Sequence, residues 1–243
     1  MIFLFIYNLS PFISRAFYKF VQQNLFDEKM KSFDGIIFDV DGTLTSTHKL
    51  IFASFRKVGE KYLGRTLSDA EIASNFGPPE DVILKEWGKD KFEEAKSDYY
   101  NFYSDNHHLA KLYPGIKEVL SLLKSRNVLT AIFTGKGRTA ADITLLKLGV
   151  AKYFDMIITG DDVVNHKPNA EGIINFLNKY ELDKERVLMI GDLPQDIYAA
   201  RSAGVKVASA LWDSYAAEKV LTLNSDYVFH KVSGLEKFLE ENV

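Results

Sequence analysis

Asp39 and Asp41 stand two residues apart where an apolar run ends, in Gly35-Ile36-Ile37-Phe38-Asp39-Val40-Asp41-Gly42-Thr43-Leu44. Side chains two apart on an extended chain point the same way, so both carboxylates can face one pocket. Carboxylates that close repel each other, and burying even one is costly unless a cation or a donor compensates it. A hard divalent cation such as Mg²⁺ is the natural compensator. A solvated acidic turn is the plainer reading of the same residues, since Asp and Gly are ordinary turn formers. Other reactive groups recur along the chain. Thr134-Gly135-Lys136-Gly137 combines a hydroxyl with glycine amides, which suits an anion such as phosphate; Asn165-His166-Lys167-Pro168 places a cation ahead of a helix; and Gly191-Asp192-Leu193-Pro194-Gln195-Asp196 adds two carboxylates.

These pieces can act together only if the fold gathers them. Residues 36–38 are β-formers without a polar face, as expected of a strand covered on both sides in a parallel sheet. Gly42 then lets the backbone turn sharply. From Pro114-Gly115 a helix runs to Arg126-Asn127, followed by strands at 128–133, 154–159, 186–190, 205–209 and 226–229, with helices at 138–148, 169–180, 195–203 and 233–241 between and after them. This alternation predicts an α/β fold, a Rossmann-like parallel sheet with helices on both faces. In such a sheet the strand ends share one edge, so Thr134, Lys167, Asp192 and Asp196 should converge on Asp39. Between the first strand and this α/β run lie helical patterns at 47–63, 68–75, 79–87 and 90–106, with no convincing strand from Ser46 to about Leu112. The expected organisation is therefore an extension over 1–32, a core of 33–45 and 113–243, and an inserted helical cap over 46–112. Phe76-Gly77-Pro78-Pro79 reads as a turn into a helix, with substrate contact as its second reading.

In the extension, Met1–Tyr7 is wholly apolar but far short of the roughly 20 residues that span a bilayer. Ile13, Ala16, Phe17, Phe20, Val21 and Leu25 then recur at helical spacing, which predicts an amphipathic helix packed on its own domain, with membrane contact of residues 1–26 the lesser reading. A start at Met30 is a third reading. The chain has 243 residues, no cysteine and a net charge of -3. These values exclude disulfides, a thiolate nucleophile and cysteine-ligated metal, give no basic footprint for nucleic acid, and fit a reducing, cytoplasmic setting. Oligomeric state leaves no signal in the sequence.

Together, Asp39-Val40-Asp41-Gly42-Thr43, Thr134-Gly135, Lys167-Pro168 and Gly191-Asp192 with Asp196 resemble the motif set of the haloacid dehalogenase-like phosphohydrolases, over about residues 34–230. The insert after the first motif looks like the small cap of the phosphoglycolate phosphatase and β-phosphoglucomutase branch. The resemblance implies that Asp39 attacks phosphorus to form an aspartyl-phosphate, while Asp41 protonates the leaving oxygen and later activates water. It implies Mg²⁺ on the Asp39 carboxylate, the Asp41 backbone carbonyl and Asp192, with Asp196 a ligand or its support. Thr134 and the Gly135 amide would hold phosphoryl oxygens, and Lys167 would offset their charge. The implied activity is Mg-dependent hydrolysis of a small phosphorylated metabolite, a phosphoglycolate-like or sugar phosphate monoester, with a phosphomutase as the alternative.

Asp41 separates this chain from the dehalogenases, which lack the second acid, and from the ion pumps, which carry threonine there. Thr45-Ser46-Thr47 departs from the Asp found soon after the first motif in many phosphatases of the branch, which weakens phosphoglycolate as the substrate. Lys136 replaces a residue that is often Asn or small; it is expected to face solvent, with a second positive charge near a more anionic substrate as the lesser reading. A rival reading takes Gly135-Lys136-Gly137-Arg138-Thr139-Ala140, with Asp161 at the next strand end, as a dinucleotide fingerprint, but it leaves Asp39, Asp41, Lys167, Asp192 and Asp196 unexplained. His107-His108 is expected at a helix end or on the surface, and Tyr99, Tyr100, Phe102 and Tyr103 as a packing face.

Overall fold

The computed structural model describes residues 32–243. The amphipathic helix expected in the extension and the alternative start at Met30 lie outside the described residues. Six parallel strands form the main sheet: β1 (Gly35–Phe38), β4 (Leu129–Phe133), β5 (Met156–Ile158), β6 (Val187–Gly191), β7 (Lys206–Ala210) and β8 (Tyr227–Phe229). Their spatial order is β5-β4-β1-β6-β7-β8. The chain thus builds outward from β1 to one edge and then to the other, and the point where the order reverses is where open α/β sheets bind ligands.

β1 has the period of two that a doubly covered strand requires. Ile36 and Phe38 face one apolar layer with α5 (Ile116–Ser125) and α9 (Val232–Asn242), while Ile37 faces the other with α7 (Glu171–Tyr180) and α8 (Pro194–Ala203). All three side chains are fully buried. Burying each contributes about 1.5–3 kcal/mol, which fixes the strand that carries Asp39. Register then levels the strand ends, because Phe38 lies opposite Ile132 of β4 and Ile190 of β6. Asp39 continues this pairing by donating its N–H to the Ile190 carbonyl at 2.9 Å.

The insert contains α1 (His48–Tyr62), α2 (Asp69–Ala73), α3 (Glu80–Gly88) and α4 (Phe92–Asp105), around an apolar cluster of its own. Phe55 anchors that cluster, with its ring centroid 4.8 Å from Tyr99 and 5.6 Å from Trp87. Tyr99, Tyr100 and Tyr103 are buried, whereas Phe102 is half-buried. The expected absence of strands at the borders of the insert is corrected by a two-stranded antiparallel ladder. In it β2 (Thr45–Ser46) pairs with β3 (Lys111–Leu112), so the chain leaves and re-enters the α/β layer side by side. Strands of two residues are too short to leave a period in the sequence. α4 also meets α6 (Arg138–Lys147) of the α/β layer, where the Tyr103 and Thr144 hydroxyls are 2.8 Å apart. No described helix is long and apolar enough to cross a membrane.

Candidate active site

One cavity of about 290 Å³ opens between the carboxyl edge of the sheet and the insert, and Asp39, Asp41, Thr134, Gly135, Lys167 and Asp196 all line it. At its floor the Lys167 ammonium bridges two carboxylates, lying 2.7 Å from Asp39 Oδ1 and 2.6 Å from Asp196 Oδ1. These three side chains are at most 10% exposed. Charge pairing at such depth is strong because little water screens it. Lys167 reaches the floor from the β5–α7 loop, which Glu171 ties down by accepting the N–H groups of Val164 and Asn165, each at 2.9 Å. Asp196, in the first turn of α8, is held from its other side, since Oδ2 accepts the Leu193 N–H at 3.0 Å.

Asp192 sits beside this bridge and is completely buried. Its Oδ1 accepts the Thr43 hydroxyl at 3.1 Å, whereas Oδ2 has no hydrogen-bond partner among the described residues. A buried carboxylate oxygen without a donor is expensive unless a cation meets it. Gly42, with φ of 86°, completes the cradle: a Cβ there would overlap the Asp192 carboxylate, so both the backbone conformation and the space demand glycine. Burial pushes the Asp39 carboxyl up to about 7, with Lys167 pulling against it and Asp196 and Asp41 adding to it. Burial, reinforced by Asp39 and Asp196, raises Asp192 well above the usual carboxylate range. The pair therefore lacks positive charge. That deficit, together with the orphaned oxygen, fits a hard divalent cation held by Asp39 and Asp192. Among the described residues no three carboxylate or imidazole groups form a ready-made cluster. Asp196 holds Lys167 through Oδ1 and the Leu193 N–H through Oδ2.

Asp41 stands at the mouth of the cavity, where the Thr47 hydroxyl donates to Oδ1 and Lys136 Nζ lies 3.2 Å from Oδ2. Thr47 belongs to the stretch that departs from the branch, and it steadies the acid. Lys136 corrects the solvent-facing expectation, because its side chain is only 1% exposed. Its ammonium lies 3.5 Å from Glu80 Oε1 of the insert and donates to the Tyr103 hydroxyl at 3.2 Å. Burial works to lower the Lys136 ammonium, yet Asp41, Tyr103 and Glu80 hold it well above the ordinary lysine range. Glu80 Oε2 in turn accepts the Gly137 N–H at 2.7 Å, at the start of α6. Thr134 is buried after β4, and its hydroxyl accepts the Lys136 N–H at 3.3 Å. Asp161 caps α6 by accepting the Arg138 N–H at 2.7 Å, a structural duty that replaces the ribose contact of the dinucleotide reading.

Glu80, Glu171 and His48 are among the residues at the site that the sequence did not single out, and Thr47 stood out there only as a departure from the family pattern. Glu80 had one cue, its place directly after Phe76-Gly77-Pro78-Pro79, and the Phe76–Pro78 part of that turn does line the cavity. His107 is buried, with Nε2 3.4 Å from the Thr144 hydroxyl, and forms no part of the cavity wall.

Comparison with known proteins agrees with this geometry. The sequence profile described as haloacid dehalogenase-like hydrolase matches residues 36–210. A pyrophosphatase PpaX of Halalkalibacterium halodurans is 32% identical over 202 residues, covering 82% of this chain and 94% of that protein. Among solved structures, a predicted phosphoglycolate phosphatase from Haemophilus somnus superposes with a TM-score of 0.76 at 24% identity, covering 86% of this chain and 99% of that one. A haloacid dehalogenase-like hydrolase from Streptococcus pneumoniae gives 0.68 at 27% identity, covering 85% and 98%. The chain belongs to the haloacid dehalogenase-like hydrolase family.

Proposed function

We propose that the chain is a phosphatase that hydrolyses a small phosphate monoester in two displacements at Asp39. The observation that carries this reading is the Lys167 bridge, which pins Asp39 through Oδ1 and leaves its other carboxylate oxygen without a hydrogen-bond donor among the described residues. That oxygen attacks phosphorus and the ester P–O bond breaks, while Asp41 delivers a proton to the leaving alkoxide. The Asp41 carboxylate then takes a proton from water. The resulting hydroxide displaces Asp39 from phosphorus, which releases inorganic phosphate and restores both acids. Asp41 stays aimed through both steps because Thr47 and Lys136 hold its two oxygens. Thr134 and the Gly135 amide bind phosphoryl oxygens, and Lys167 offsets the charge gathered there. Asp39, Asp192 and the Asp41 main-chain carbonyl would hold Mg²⁺, which when bound supplies the positive charge that keeps the buried carboxylates ionised and draws the phosphoryl group to them. The helical insert acts as a cap over the cavity, with its ladder β2–β3 as the neck.

The relative named pyrophosphatase and the neighbour named phosphoglycolate phosphatase both support phosphoryl transfer as the reaction class. A panel of phosphate esters, run with Mg²⁺ and with EDTA on the wild type and on Asp39→Asn, tests the reading. Phosphate release from at least one ester, lost with EDTA and lost in the variant, is expected. Turnover that survives both changes would refute it.

A further inference from the structure

The walls of the cavity carry information about the leaving group, and this step rests on the phosphatase reading above. Three basic side chains line the cavity among the described residues: His48, Lys136 and Lys167. Lys167 is committed to Asp39 and Asp196. Lys136 faces Asp41 at 3.2 Å and Glu80 at 3.5 Å, so one ammonium meets two carboxylates. Glu80 is itself immobilised by the Gly137 N–H at 2.7 Å, and swinging it away would orphan that buried donor. The insert's remaining contribution to the wall is largely apolar: Ile51 and Phe55 of α1, Ala73 of α2, Phe76, Pro78, and Ile83 of α3. No arginine lines the cavity among the described residues.

A substrate with a second anionic group would therefore bring that charge against apolar side chains and a Lys136 already matched by Glu80 and Asp41, with His48, edge-on to the Tyr215 ring at 5.8 Å, the one basic side chain on the wall outside these pairs among the described residues. Like-charge contact and unpaired burial both oppose such a fit. We infer that the enzyme acts on monoesters whose leaving alcohol is uncharged and partly apolar, and that Glu80 sets this preference by neutralising Lys136 at the cap face of the cavity. Pyrophosphate and carboxylate-bearing esters are then poor substrates, which separates this chain from what the names of its relatives would lead one to expect.

The test compares kcat/KM in Mg²⁺ buffer for a nearly isosteric pair, 2-hydroxyethyl phosphate and 2-phosphoglycolate, together with benzyl phosphate and pyrophosphate. The neutral member of the pair and benzyl phosphate should each exceed both anionic substrates by at least about tenfold. Glu80→Gln, and Ala73→Arg at an exposed position on the cavity wall, should each shift the ratio of phosphoglycolate to hydroxyethyl phosphate upward by about fivefold or more. A wild-type preference for either anionic substrate, or a ratio unchanged in both variants, overturns the inference and leaves the phosphatase reading intact. Absence of turnover on all four substrates overturns both.

Discussion

Replacing Lys167 with methionine tests the floor of the site as a piece of electrostatics. Methionine keeps most of the stem but removes the charge, the two hydrogen bonds to Asp39 and Asp196, and the ammonium that lies 5.5 Å from the centroid of the Phe133 ring. Asp39 and Asp196 then face each other, 9% and 1% exposed, with no cation between them. Removing one partner of a buried pair costs about 3–5 kcal/mol. With a urea slope of about 2 kcal/mol/M, the unfolding midpoint of metal-free protein should fall by about 1.5–2.5 M. Adding Asp196→Asn removes one of the repelling charges, so the double variant should be more stable than the sum of the single losses allows, by about 1–3 kcal/mol of coupling. The pH dependence has a definite sign. Asp39 already sits at about 7 against an ordinary 3.8, so the folded state holds a proton that the unfolded chain gives up, and that contribution to stability is lost as pH rises through this window. Without Lys167 the carboxyl rises further, so the deficit of Lys167→Met should be larger at about pH 8 than at about pH 5. Tryptophan fluorescence in urea reads all four proteins. A Lys167→Met loss below about 0.5 kcal/mol, or strictly additive losses in the double variant, would refute the bridge.

Two further outcomes follow from local geometry. Gly42→Ala should lower stability by about 1–3 kcal/mol and depress kcat, because it strains a φ of 86° and drives a Cβ into Asp192. Gly64→Ala, at φ of 68° with nothing within 4 Å of its Cβ, should show only the backbone cost and an unchanged kcat; equal kcat in both variants would contradict the role given to the Asp192 cradle. Burial holds His107 below its ordinary 6.5, so the unfolded chain binds the proton first and stability should rise with pH up to that value. His107→Gln should flatten this slope in thermal melts; an unchanged slope would remove His107 as its source.

Much of the architecture was legible because it rests on short-range patterns. Ile36, Ile37 and Phe38 lack a polar face since both faces of β1 are covered, and that reading also placed Asp39 at the strand end. The convergence of Thr134, Lys167, Asp192 and Asp196 followed from the shared edge of a parallel sheet. Lys136 was misread for a physical reason. Between two glycines it has no local cue to burial, and what buries it is Glu80, 57 residues away from its hydrogen-bonded neighbour Gly137, together with Tyr103. Partners brought by an inserted helical unit leave no period and no spacing in the sequence around the residue they meet. Thr47 was hidden differently, as a departure from a family pattern whose replacement contact only coordinates reveal.

The central claim is that Asp39 becomes covalently phosphorylated. Rapid acid quench of the enzyme during turnover of an active ester, followed by peptide mass spectrometry, should find one phosphoryl adduct on the peptide containing Asp39, absent in Asp39→Asn. Steady turnover with no adduct on that peptide at any quench time, or an adduct that maps to another residue, would contradict the account.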